Sequence, residues 1–200
     1  GEDCMSTCAC MRALGAKIDV DGNTMRVRGA ERFRAGRTLD CGNSGTTIRL
    51  LTGFLAGRQT QATLFGDASL STRPMKRVAE PLSLLGAEIQ TTDGHAPVQV
   101  LPKALHGAKV DISVSSAQGK SAGLLAGISA ERETILTEPI QSRDHTERML
   151  AAMGADIYAN GNSVTVKKSN LRAVDVCVPA DISSAAYFMA LGALKGKTLC

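Results

Sequence analysis

Leu14-Gly15-Ala16-Lys17-Ile18, Leu85-Gly86-Ala87-Glu88-Ile89 and Met153-Gly154-Ala155-Asp156-Ile157 are three versions of one phrase, spaced about 70 residues apart in a chain of 200. Each closes a stretch that reads as helix, and each is followed by a hairpin signal: Asp21-Gly22-Asn23, Asp93-Gly94-His95 and Asn160-Gly161-Asn162. Short β-branched runs at 25–27, 98–100 and 164–166 supply the return strands. The period is longer than that of solenoid repeats, so each copy must be a larger unit with several elements.

Working outward, the same order recurs after each hairpin. A strand comes first (39–41, 110–114, 174–178), then a loop of small polar residues (42–46, Ser115 with Ser116, 179–184), then an apolar helix (48–55, 120–126, 185–194). Each helix runs into a further strand at 62–65, 133–136 or 197–199. Strand–helix–strand is a βαβ crossover, which predicts mixed sheets with helices packed on them. The expectation is an α/β (α+β) domain of three similar units around a pseudo-threefold axis, covering 1–200 with approximate repeats 4–66, 74–137 and 146–200. Gly119, Gly123 and Gly127 share one helix face. That stripe reads equally as a surface for close helix packing or as sequence drift.

Hydrophobic residues make up 44% of the chain, enough for a core, but aromatics only 3% with no Trp, so the core must be Leu, Ile, Val, Ala and Met. A net charge of +4 is too mild for a dedicated nucleic-acid binder and suits small anionic ligands. The six cysteines carry no paired Cys-x-x-Cys motif, which argues against zinc. They are expected to be reduced, in a cytoplasmic protein with no metal and no membrane span.

The small-polar loops are the candidate site. At a strand-to-helix junction the free backbone N–H groups and the helix dipole favour anions, Gly lets a ligand approach the backbone, and Ser or Thr adds hydroxyls. One such loop reads as ordinary N-capping; three in equivalent positions point to ligand binding. Two Arg-bearing segments add to this. Gly66-Asp67-Ala68-Ser69-Leu70-Ser71-Thr72-Arg73-Pro74-Met75 and Glu138-Pro139-Ile140-Gln141-Ser142-Arg143-Asp144-His145-Thr146-Glu147 each follow a strand and place an Arg near a helix start. Arg grips carboxylate or phosphate with two hydrogen bonds. His145 reads as a residue of a capping turn, not a base.

These segments resemble the 5-enolpyruvylshikimate-3-phosphate synthase family. Gly42-Asn43-Ser44-Gly45-Thr46-Thr47-Ile48-Arg49-Leu50-Leu51 resembles its phosphoenolpyruvate loop, and the segment around Arg73 resembles its second anion-binding loop. Ser115-Ser116-Ala117-Gln118 with Lys120-Ser121-Ala122 resembles the shikimate-phosphate loop, while Ser142-Arg143-Asp144-His145-Thr146-Glu147 and Asp181-Ile182-Ser183-Ser184-Ala185 also fit, with a class II flavour. The resemblance implies a domain of three βαβαββ units, one of two in the enzyme. It implies transfer of the enolpyruvyl group of phosphoenolpyruvate to the 5-hydroxyl of shikimate 3-phosphate without a cofactor. Asn43, Gly45, Arg73 and Gln118 would face phosphoenolpyruvate, and Ser116, Gln118 and Ser142 would hold shikimate 3-phosphate; Arg49 belongs to the motif without an assigned role. Family members begin with a Lys-Ser segment and a helical Arg, and their second domain supplies an Asp, a Glu, further Arg residues and a Lys. On this reading no catalytic acid or base lies in the present chain, its partner is the missing domain, and the chain alone is inactive. Gly119 and Gly123 stand where the family has larger apolar residues, and Leu50 where some members have Pro. The alternatives are a UDP-N-acetylglucosamine enolpyruvyl transferase, which typically carries a Cys where this chain has 68–73, and a non-catalytic substrate-binding domain. RNA 3′-phosphate cyclase has related repeats, but its nucleotide-binding histidine is not evident.

Overall fold

Each of the three Gly-Ala phrases ends a helix in the same way. In the computed structural model, which describes residues 1–196, helices α1 (Glu2–Ala13), α4 (Lys76–Leu84) and α6 (His145–Ala152) stop just before them. Gly15, Gly86 and Gly154 follow at φ +111, +103 and +88. The N–H groups of Ala16, Ala87 and Ala155 reach back to the carbonyls of Met11, Leu82 and Leu150 at 3.0, 3.0 and 2.9 Å. The Gly N–H groups bond to Arg12, Ser83 and Ala151. This is the Schellman closure, which satisfies orphan carbonyls and needs a residue tolerant of positive φ.

Every such helix feeds a hairpin: β1 (Lys17–Asp21) with β2 (Thr24–Arg28), β5 (Glu88–Thr92) with β6 (His95–Leu101), and β9 (Ile157–Asn160) with β10 (Ser163–Val166). Two of the hairpins are completed into sheets of the same order. The first runs β3 (Arg37–Asp40), β4 (Ala62–Phe65), β6, β5; the second runs β7 (Lys109–Asp111), β8 (Thr134–Thr137), β10, β9. In both, the first pair is parallel and the rest antiparallel. The parallel crossovers are α2 (Gly45–Gly57) and α5 (Ala117–Gly127). A short helix, α3 (Ala68–Ser71), sits between β4 and α4. The hydrogen-bonded βαβαββ units therefore span 37–101 and 109–166, out of phase with repeats counted from the helices. Helix α1 with β1 and β2 matches the second half of a unit.

The buried core is continuous from Cys10 to Val166 and is built from Leu, Ile, Val and Ala. Helix α2 lies on β4 and β6, α5 lies on β8, and the two helices meet each other. Gly53 makes that meeting possible: a Cβ there would fall 2.1 Å from the Ala122 carbonyl oxygen, and one at Gly57 would fall 2.9 Å from that of Leu125. The α5 stripe has a different neighbour. A Cβ on Gly123 would strike Leu136 of β8 at 2.7 Å, and one on Gly127 would strike Val166 of β10 at 2.8 Å. The stripe thus serves close packing, Gly123 and Gly127 against the sheet and Gly119 against helix α4, where a Cβ would fall 3.2 Å from the Arg77 carbonyl oxygen, while Gly53 and Gly57 carry the approach of α2 to α5.

The third copy departs from expectation. Helix α7 (Ile182–Lys195) forms, but residues 174–178 are not a strand. The equivalent strands β3 and β7 are held by a parallel neighbour supplied after the helix. For 174–178 that neighbour would be 197–199, which lies outside the described residues. Tyr187, Phe188, Leu191 and Leu194 of α7 are exposed.

Candidate functional site

Ser44 and Ser116 cap α2 and α5. Ser44 Oγ accepts from the Thr47 N–H at 3.1 Å, and Ser116 Oγ from the Gly119 N–H at 3.3 Å. Capping is thus a real role of these loop serines. The parallel crossovers also bring the two helix starts together, where side chains form two hydrogen-bonded polar chains.

Arg49, buried on α2, donates through Nη1 to Gln118 Oε1 at 2.6 Å and through Nη2 to the Pro74 carbonyl at 3.3 Å. Gln118 Nε2 donates to Thr46 Oγ1 at 2.8 Å, which fixes the orientation of its amide. Arg73 Nη2 donates to Asn43 Oδ1 at 2.8 Å, and Asn43 Nδ2 donates to Asp67 Oδ2 at 2.8 Å. Asp67 also caps α3, accepting from the Leu70 N–H at 2.7 Å; that bond, then Asn43, holds its carboxyl below the ordinary value. Gly45 sits under two guanidinium groups: a Cβ there would lie 3.0 Å from Arg49 Nη1 and 3.1 Å from Arg73 Nη1. Burial, then the charges of Arg77 and Arg73, pushes the Arg49 guanidinium below its ordinary pKa, though Arg remains protonated. Three arginines converging with so few carboxylates create a pocket of positive potential suited to an anion.

A second cluster lies on the other side of the α5 start. Glu138, which follows β8, is buried. Its carboxylate accepts from the Ser116 N–H and the Ser142 N–H, each at 3.2 Å, and from the Ser142 hydroxyl at 2.7 and 2.9 Å. Lys120, 1% exposed, pairs with Glu138 at 3.0 Å and with Glu147 at 2.7 Å. Ser115 Oγ links this loop to Ile140 by donating to its carbonyl and accepting its N–H.

The structure therefore joins Asn43 to Arg73, sets both arginines over Gly45, and ties Gln118 to Arg49. Ser116 and Ser142 meet through Glu138, with Gln118 two residues along the helix from Ser116. Sequence reasoning left Arg49 without a role, and it gave none to Glu138 or Lys120 although both stand in the segments quoted above. The available signal was a single charged residue, Lys120, in the otherwise uncharged helix α5. His145 opens α6 and is exposed, and Asp144 pairs with Arg148 instead of capping that helix. Among the described residues no group of three or more His, Cys, Asp or Glu side chains could hold a metal ion, and no helix is long and apolar enough to cross a membrane.

Comparison with known proteins identifies the family. The family described as EPSP synthase (3-phosphoshikimate 1-carboxyvinyltransferase) matches residues 1–200. A 3-phosphoshikimate 1-carboxyvinyltransferase of Syntrophomonas wolfei is 47% identical over 193 residues, which is 94% of this chain and 45% of the relative. One from Geotalea uraniireducens is 49% identical over 194 residues, again 94% and 45%. The solved EPSP synthase of Acinetobacter baumannii superposes with a TM-score of 0.88 at 44% identity, covering 94% of this chain and 44% of that one. The chain spans about half the length of the relatives it matches. With its fold, its loops and its whole length in agreement, the chain belongs to the EPSP synthase family.

Proposed function

We propose that the protein to which this chain belongs transfers the enolpyruvyl group of phosphoenolpyruvate to the 5-hydroxyl of shikimate 3-phosphate, and that this chain forms one wall of the cleft. The observation that carries the reading is the pair of polar chains at the starts of α2 and α5, Arg49–Gln118–Thr46 and Arg73–Asn43–Asp67, with the Ser116 and Ser142 loops joined through Glu138 at the same end of α5. Asn43, Gly45, Arg73 and Gln118 would hold phosphoenolpyruvate, and Arg49 joins them as the buried group that orients Gln118. Ser116, Gln118 and Ser142 would hold shikimate 3-phosphate.

The chemistry is addition followed by elimination. The 5-hydroxyl gives up its proton and its oxygen bonds to C2 of phosphoenolpyruvate as C3 takes a proton; phosphate then leaves C2 and C3 gives up a proton to restore the double bond. Both substrates are multiply anionic, so fixed cations that need no reorganisation are the natural contribution of this wall. The proton-transfer groups belong to the remainder of the protein, which is also the partner of this chain. Calorimetric titration of the full-length protein with shikimate 3-phosphate tests the reading, alone and with phosphoenolpyruvate. Saturable binding and phosphate release support it; absence of binding overturns it.

A further inference from the structure

Lys120 is among the most deeply buried side chains of the molecule, and nothing in the proposed chemistry calls for it. Its Nζ lies 3.0 Å from Glu138 Oε2, 2.7 Å from Glu147 Oε1 and 3.5 Å from the Ser142 carbonyl oxygen. One ammonium thus ties together α5, the segment after β8, and α6. Glu138 passes the tie onward, because its carboxylate holds the N–H groups of Ser116 and Ser142 and the Ser142 hydroxyl. A carboxylate in that position sets the two loops in register, yet its charge would repel a phosphate drawn to the same serines. The ammonium lessens that conflict: it contacts Glu138 and Glu147 alike and so leaves the trio with one net negative charge instead of two.

We propose that Lys120 is a positioning residue for the Ser116–Ser142 subsite. It holds Glu138 so that the carboxylate fixes both serine loops, and it offsets part of the negative charge of Glu138 and Glu147 that would otherwise keep a phosphate ester away. The identity of the ester rests on the function proposed above; the positioning of the loops does not.

Three forms of the full-length protein test this: the parent, Lys120→Met, and Lys120→Met with Glu138→Gln. Hydrogen exchange at the Ser116 and Ser142 amides reads the positioning, and calorimetry with shikimate 3-phosphate reads the charge. Lys120→Met is expected to speed exchange at both amides and to raise Kd roughly tenfold or more, since the Glu138 and Glu147 carboxylates are both left without their partner. The double variant is expected to bind more tightly than the single one while exchange stays fast, because the nearer of the two repelling charges is gone but the tie is not restored. Unchanged exchange, or a double variant that binds no better than Lys120→Met, overturns the proposal. Should Lys120→Met fail to fold, parent and double variant are compared, and equal exchange at both amides overturns it. A parent that does not bind shikimate 3-phosphate overturns the functional reading alone, since the exchange measurement still decides the positioning.

Discussion

The hydroxyl of Ser116 accepts from the Gly119 N–H and keeps its own proton for a ligand, whereas the hydroxyl of Ser142 gives its proton to Glu138. The two serines are therefore unequal. Ser116→Ala is expected to weaken shikimate 3-phosphate binding by about 1.5–3 kcal/mol, the worth of a hydrogen bond to a charged group. Ser142→Ala should cost less, because that hydroxyl must first leave Glu138. Calorimetry of the two variants ranks them, and the reverse order would show that Ser142 is the donor. Acid provides a second check. Burial disfavours the Glu138 carboxylate, but bonds from Ser142 and Lys120 outweigh it and hold its pKa below the ordinary value. A group depressed in the folded state stabilises fully above its unfolded pKa and loses that contribution as pH falls through the folded one. Glu138→Gln should therefore flatten the acid limb of a plot of urea midpoint against pH; an unaltered limb would mean that Glu138 does not titrate with unfolding. The loops that carry Asn43, Gly45, Arg73 and Gln118 were legible in the sequence as small polar residues after a strand and as Arg near a helix start, while the choice of those four residues within them came from the family resemblance. The contact of Lys120 with Glu138 and Glu147 was not legible, because its three members come from separate elements and meet only through the fold.

Helices and hairpins were legible for a related reason: their ends are written in Gly, and positive φ there follows from local chemistry. The same feature makes the ends testable. Gly86 and Gly15 share nearly the same backbone, but a Cβ on Gly86 would meet the His106 ring at 2.8 Å, while the nearest atom at Gly15 is 3.6 Å away. Gly86→Ala should cost about 1–3 kcal/mol of stability for the strained φ and exceed Gly15→Ala in the same denaturant titration. Gly53 gives a sharper contrast. In a helix interior Gly→Ala ordinarily gains about 1 kcal/mol, but here the methyl would overlap the Ala122 backbone of α5. Gly53→Ala is expected to destabilise, because backbone cannot swing aside as a side chain can; a stabilised variant would show that α2 and α5 are less closely packed. The strand at 174–178 was misjudged because alternation in sequence supplies only a strand's side chains. Its backbone needs a neighbour.

Across the whole molecule that need recurs at the other end. Strand β6 is bonded to both β5 and β4, and β10 to both β9 and β8, but among the described residues β2 is bonded to β1 alone. Its outer edge is where the other two units carry a parallel βαβ crossover. The apolar face beside it is exposed at Val20, Met25 and Val27. With α7 showing Tyr187, Phe188 and Leu194 as well, both ends of the chain present surface that the two complete units bury. Since the chain spans about half of its relatives, we expect these faces to be covered by the rest of the protein. A cleft with one wall positions neither substrate against an acid or base, and positioning can supply roughly 7–11 kcal/mol of the barrier reduction. The 200-residue chain expressed alone should therefore bind a hydrophobic dye and release no phosphate from phosphoenolpyruvate and shikimate 3-phosphate. The full-length protein should release phosphate and lose the dye signal. Turnover by the isolated chain would show that its own residues move the protons. Dye binding that persists in the full-length protein would show that these faces serve some contact other than the one proposed.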